Sequence, residues 1–149
     1  NTYPIFVVDF WNDGPTAKGC LAGGRHYFHI NTDGDVEPCV FAHFATDNIY
    51  DKSLIDVLKS PFFTEIREAI PYEDGNELRP CMIIDRPELL RHYVEKHGAH
   101  TTCEGGESLV TTLAGDIDKY AAGLKELYDP AWVAGDWMRH LPDPPPDYL

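Results

Sequence analysis

Cys20, Cys39, Cys81 and Cys103 are the residues of this 149-residue chain best suited to chemistry. Thiolates are soft donors that hold zinc or iron-sulfur clusters in a reducing compartment, whereas a secreted chain would pair four cysteines into two disulfides. Between Cys20 and Cys39 the pattern favours a cluster. Thirteen residues (21–33) separate Cys20 from Gly34, and four more (35–38) separate Gly34 from Cys39, so a turn glycine stands at a fixed offset before the second thiol. Gly23-Gly24 removes two side chains beside Cys20, which lets backbone approach a bulky inorganic group or turn N–H groups toward its sulfurs. Pro38-Cys39 and Pro80-Cys81 repeat one device. In each, proline stiffens the approach to a thiol and lowers the entropic cost of holding it as a ligand.

The elements that position these thiols are legible in part. Residues 25–30 are rich in aromatic and β-branched types, and Asn31-Thr32-Asp33-Gly34-Asp35 is a turn cluster, which together predict a β-hairpin returning through Val36. Pro38 cannot join a sheet ladder, so the returning strand should be short and should release Cys39 near Cys20. A helix is expected from Leu54 with Ser53 as N-cap, and a second from Pro61 with Ser60 as N-cap and Phe62, Phe63, Ile66 and Ile70 along one face until Pro71 ends it. A third should run from Pro87 to Gly98, with Asp85 near its cap. Residues 99–106 read as a loop. From Glu107, Leu109, Leu113, Ile117, Tyr120, Leu124 and Leu127 form a stripe at four- and three-residue steps, predicting a long helix with that stripe in the core. Upstream, Pro4-Ile5-Phe6-Val7-Val8 reads as a strand buried on both faces, followed by a polar and aromatic turn through Pro15. The final Pro-rich segment, 142–149, reads as an extended tail.

Composition bounds the function. A formal charge of -13, from 25 acidic and 12 basic residues, argues against nucleic acid or an anionic membrane as partner. No apolar run approaches a membrane span, and no signal peptide is evident. There is no Gly-x-Ser-x-Gly elbow, phosphate loop or His-Glu-x-x-His motif, and Asp116 and Asp118 read as a solvated helix face. Asp33, Asp35 and Glu37 do not follow the order of a calcium loop and are explained by the hairpin turn. His26 and His29 fall on opposite faces of a strand, and His43 reads as a structural histidine.

The Cys-x13-Gly-x4-Cys pattern, followed after a gap by a further Pro-Cys, resembles the SPASM/twitch domain that follows the barrel of many radical S-adenosylmethionine enzymes. More locally, Asp9-Phe10-Trp11-Asn12-Asp13-Gly14, Cys20-Leu21-Ala22-Gly23-Gly24 and Asp35-Val36-Glu37-Pro38-Cys39 resemble an uncharacterised group of such proteins. The resemblance covers residues 4–130. It implies an α+β domain with a small hairpin and several helices, preceded by a remnant barrel strand in residues 1–15. Residues 16–104 would then be the cluster-binding region, 105–141 a C-terminal helical region, and 142–149 the tail. It implies one auxiliary 4Fe-4S cluster held by Cys20, Cys39 and Cys81, with Cys103 as the remaining thiol for the fourth position. Twenty-one residues (82–102) separate Cys81 from Cys103, further than the closing pair of single-cluster twitch domains.

The three-cysteine motif of the radical core, Cys-x-x-x-Cys-x-x-Cys, is absent from these residues. S-adenosylmethionine and a second 4Fe-4S cluster would therefore belong to a barrel in the parent chain, which becomes this domain's expected partner, together with an unknown substrate. The resemblance implies a cytoplasmic accessory part of an enzyme, serving electron transfer or substrate contact and not catalytic alone. The competing expectations are a zinc-stabilised or metal-free interaction module, with zinc on four cysteines or on three with His29 or His43. Asp85 is a further candidate iron ligand in place of Cys103.

Overall fold

The computed structural model describes residues 14–140, and the side chains of residues 14–138. The expected strand from Pro4 to Val8, most of the turn after it, and the 142–149 tail lie outside the described residues. Within them is a small α+β arrangement of five helices and two antiparallel two-stranded sheets. A short helix α1 (Gly14–Ala17) leads to Cys20, and β1 (His29–Ile30) turns back into β2 (Val36–Glu37). His29 faces Glu37 and Ile30 faces Val36 in the register. The hairpin forms as the turn chemistry dictates. Asn31 Oδ1 accepts the Asp33 and Asp35 N–H groups at 2.9 and 3.0 Å, and Gly34 takes φ 87°, a left-handed conformation that β-carbon-bearing residues adopt at a cost. The strand ends at Glu37, immediately before Pro38, as the missing proline donor requires.

The chain then forms β3 (Phe44–Ala45), α2 (Leu54–Leu58) and α3 (Pro61–Glu68). Both expected caps are present: Ser53 accepts from Asp56 N–H, and Ser60 accepts from Phe63 N–H with Pro61 in the first turn. Each such cap contributes about 1 kcal/mol. Phe62, Phe63 and Ile66 bury their side chains against Val36, Ala42, Phe44, Val57, Met82, Leu90 and Tyr93, which make the core. Full burial of each large apolar side chain is worth roughly 1.5–3 kcal/mol. Helix α4 (Pro87–His97) supplies Leu90 and Tyr93 and stops at Gly98.

Three expectations are corrected. The segment expected to be all loop contains β4 (His100–Thr101), which pairs with β3 so that Phe44 faces Thr101 and Ala45 faces His100. Two residues without an alternating pattern carry no strand signal; the pairing comes from tertiary closure. Asp85 does not cap α4, whose N-cap is Arg86 without a side-chain bond. The long helix does not start at Glu107: Gly106–Val110 is a 3-10 turn, and α5 begins later (Ala114–Ala134). Its stripe is core only in part: Leu113, Tyr120 and Leu127 are exposed, the last at 70%, Leu109, Ile117 and Leu124 are half-buried with Leu109 against the core, and only Ala121 of α5 is buried. Polar contacts hold α5 instead: Arg91 to Asp118 at 2.7 Å, Asn76 to Asp129 at 2.8 Å, and Arg79 to Asp129 at 3.3 Å.

Helices α3 and α4 are clamped by Glu65, which receives His92 at 3.2 Å, Lys96 at 2.8 Å and His97 at 2.6 Å. The hydrogen bond from Lys96, followed by those from the two histidines, lowers the Glu65 carboxyl to about 2. Because the folded value is depressed, this contribution to stability is present above the ordinary carboxyl range and is lost as pH falls toward 2. Glu65→Gln should therefore lower Tm at neutral pH, with the gap from the parent narrowing below about pH 4. Thermal melts of both proteins across that range check it, and a gap independent of pH would contradict the clamp.

Candidate metal centre

Three of the four cysteines are brought together from three separate segments. Cys39 belongs to the buried core, and Cys20 and Cys81 pack against the same core. The segment of Cys20 is fixed to that of Cys39 by a backbone bond from Gly23 N–H to the Pro38 carbonyl, 2.8 Å. Near Cys81, α1 passes so close that a β-carbon on Gly14 would fall 2.0 Å from the Glu77 carbonyl oxygen. The thiol charges act on one another: Cys39 on Cys20, and Cys20 on Cys81.

A shared local motif surrounds them. The N–H two residues on points at each sulfur: Ala22 to Cys20 at 3.4 Å, Phe41 to Cys39 at 3.5 Å, and Ile83 to Cys81 at 3.4 Å. The Ile84 N–H also reaches Cys81. Tyr27 adds a side-chain contact, its hydroxyl lying 2.9 Å from Cys39 Sγ. N–H and O–H groups aimed at sulfur favour a thiolate over a thiol, and hydrogen bonds to ligand sulfurs tune cluster potential. Gly23 and Gly24 play a different part from the expected one. Their N–H groups bond to the Pro38 and Tyr27 carbonyls, so they do not reach sulfur. Gly23, at φ 70°, is needed for packing, since a β-carbon there would lie 2.4 Å from Ile66 Cγ2 on α3.

The approach to Cys81 is held from several sides. Tyr72 hydroxyl donates to the Pro80 carbonyl at 3.2 Å, and Arg86 Nε donates to the Arg79 carbonyl at 3.1 Å. Arg79 Nη2 donates to the Asp85 carbonyl at 3.0 Å. Asp85 closes the turn in both directions: its Oδ2 accepts the Cys81 N–H at 2.8 Å, and its own N–H reaches the Cys81 carbonyl at 3.0 Å. Arg79 and Arg86 are buried and paired with Asp74, at 3.5 and 2.6 Å. Arg86 also lies 4.3 Å over the Tyr72 ring. Arg25 donates to the Cys20 carbonyl and places positive charge beside a thiol that must ionise to bind metal, while Arg79 and Arg86 are spent on the Asp74 and Asp129 carboxylates.

Cys103 lies elsewhere. It is exposed, just past β4, with its sulfur beside Gly106 and near Thr101 and His43. A residue the sequence reading assigned to the turn proves more distinctive. Glu37 is 1% exposed, with His29 Nε2 at 3.9 Å from Oε2, His43 Nδ1 at 3.7 Å from Oε1, and the Thr102 hydroxyl donating to Oε1. It ties the hairpin to the segment after β4, while Oε2 has no hydrogen-bond partner. The sequence signal was its place two residues before Cys39 on a strand whose neighbours are buried.

Among the described residues, no group of three or more His, Cys, Asp or Glu is gathered to hold a metal ion. A four-iron cluster carries its irons at separate corners and takes thiolates spaced more widely than one ion does. Soft donors and sulfur-directed N–H groups fit such a group. Residues 20–85 match the family model of SPASM, an iron-sulfur cluster-binding domain. The match begins at Cys20 and spans Cys39 and Cys81. No curated protein and no solved structure matches the chain. No helix among the described residues is long and apolar enough to cross a membrane.

Burial is the main cause that raises the metal-free thiols, Cys20 to about 11 and Cys81 to about 12. At pH 8, about one Cys20 in a thousand would then be thiolate, the form that reacts. Iodoacetamide should label exposed Cys103 first and leave Cys20 and Cys81 largely unmodified until the pH rises or the fold opens. Mass spectrometry of timed, quenched samples checks the order, and equal labelling of all four would contradict the packed arrangement.

Proposed function

We propose that this chain is an auxiliary 4Fe-4S domain, the C-terminal part of a radical S-adenosylmethionine enzyme, with Cys20, Cys39 and Cys81 as three of the ligands. The observation that carries this is the convergence of these three thiols, each facing the N–H group two residues on. Cys103 stands as the remaining thiol candidate. When bound, such a cluster supplies one-electron transfer, or a Lewis-acidic iron where a coordination position is open.

The chain's own residues set the conditions for that chemistry. The Tyr27 hydroxyl, at 2.9 Å, donates to Cys39 once that sulfur is ionised, and withdraws electron density from it. The N–H groups of Ala22, Phe41, Ile83 and Ile84 do the same at their sulfurs, which makes the site easier to reduce. The core side chains Phe44, Phe62, Phe63 and Met82 exclude water from one side. Serving electron transfer or substrate contact beside a barrel accounts for a domain that has cluster ligands but no radical-core motif.

Anaerobic reconstitution with iron and sulfide should load about four of each per chain and give broad absorbance near ~400 nm. Cys20→Ser, Cys39→Ser and Cys81→Ser should each reduce that content several-fold. Iron and sulfide assays check both. One zinc per chain without sulfide, or full loading of all three variants, would overturn the reading.

A further inference from the structure

Helix α5 is held on one side. Ala121 is its buried residue, and the Arg91–Asp118 and Asn76–Asp129 contacts lie on that same side. Gly123, two residues on and so about 200° round the helix, faces open space, with nothing within 4 Å of a β-carbon built there. Leu113, Tyr120 and Leu127 are exposed and recur every seven residues, which keeps them in one row along a flank of Gly123. Lys119 and Glu126, also exposed and seven residues apart, form a charged row along the other flank. The 3.1 Å contact of Lys119 with Asp116 lies in solvent and leaves the ammonium with donors to spare.

We propose that this face of α5 pairs with the same face of a second copy of the chain, the two helices antiparallel about a two-fold axis at Gly123. The face is complementary to itself in that register. Tyr120, three residues before Gly123, comes level with Leu127, four after it, to within one residue's rise of about 1.5 Å. By the same symmetry Lys119, four before, comes level with Glu126, three after, and each contact forms twice. Parallel pairing would set Lys119 against Lys119 and Glu126 against Glu126. Glycine inside a helix weakens it relative to alanine, and no neighbour in its own chain requires the space at Gly123. Bare backbone at the crossing lets two helices approach closely and makes room for the Tyr120 rings. A contact along about 31 Å of helix is small among those that hold two proteins together. Each chain also carries a charge of -13, so the two copies part readily.

The test is sedimentation equilibrium of the whole chain from about 5 to about 500 µM in about 150 mM salt, where screening confines charge repulsion to groups within about 8 Å. Reductant is present throughout, so that exposed Cys103 cannot join two chains by a disulfide. The mass should rise from one chain to two with a dissociation constant of about 10–100 µM. Tyr120→Glu should raise that constant at least about tenfold. Gly123→Leu should melt no lower than the parent yet remain a monomer, since the added side chain meets nothing in its own chain. Lys119→Glu and Glu126→Lys should each weaken association about fivefold, and an equimolar mixture of the two should recover the parent's constant, because every mixed pair again sets opposite charges together. A parent chain that stays monomeric throughout overturns the proposal and leaves the face to a chemically different partner. Association undiminished in Tyr120→Glu or in Gly123→Leu places the contact elsewhere and overturns it as well. A mixture no tighter than its two components overturns the antiparallel register. Should Tyr120→Glu lose helix by circular dichroism, Gly123→Leu and the charge-swapped mixture decide the matter.

Discussion

Everything in this fold answers to the withdrawal of three thiols from water, Cys39 buried and Cys20 and Cys81 half-buried, against a core that has little apolar material to spare. A sulfur withdrawn from water and left unpaired prefers its proton, as the raised Cys20 and Cys81 values express. The backbone counters this by directing an N–H group at each sulfur from two residues on, and Tyr27 adds a hydroxyl at Cys39. Those N–H groups can point inward only because the chain turns sharply after each cysteine. Regular secondary structure would spend them on other carbonyls. The strands are accordingly two residues long, and the helices stand back from the sulfurs as a scaffold.

The scaffold divides into an apolar half and an ionic half. On one side, α3 and the hairpin interlock through Phe62, Phe63, Ile66, Val36 and Phe44. On the other, the Cys81 turn is gripped by Arg79, Arg86, Asp74 and Asp85, and α5 is attached through Asp118 and Asp129. Buried ion pairs add little net stability compared with apolar packing, but they fix direction and spacing. Fixed spacing is what a polynuclear group demands of its ligands.

What the sequence disclosed follows the same division. Locally encoded features were legible: the Ser53 and Ser60 caps, the Gly34 turn, the arrest of β2 before Pro38, and Gly98 closing α4. Each is dictated by one residue's conformational or hydrogen-bonding limits. Features produced by closure of the chain were not legible. Strand β4 exists because residues 100–101 happen to meet residues 44–45. The α5 stripe had the right period for a core helix, yet period alone does not say what lies opposite, and ionic contacts seat the helix with much of that stripe outward. Asp85 stood where a cap is expected, and the nearby Cys81 N–H, invisible in one dimension, took its oxygen. Of the site itself, the Cys20-Gly34-Cys39 spacing was sufficient to mark the hairpin, while the convergence of Cys81 depended on an arginine network that no motif announces.

Gly23 gives the packing of α3 an unexpected reach. Its α-carbon rests so near Ile66 that no side chain fits between them, and its N–H is bonded to the carbonyl just before Cys39. The loop bearing Cys20 is therefore seated directly on a helix that carries no sulfur. The helix acts as a shim: a change in the bulk of Ile66 is transmitted through rigid backbone as a change in the gap between two thiols. Residues that act through their volume, and that carry no sulfur, thus set the spacing of the thiols.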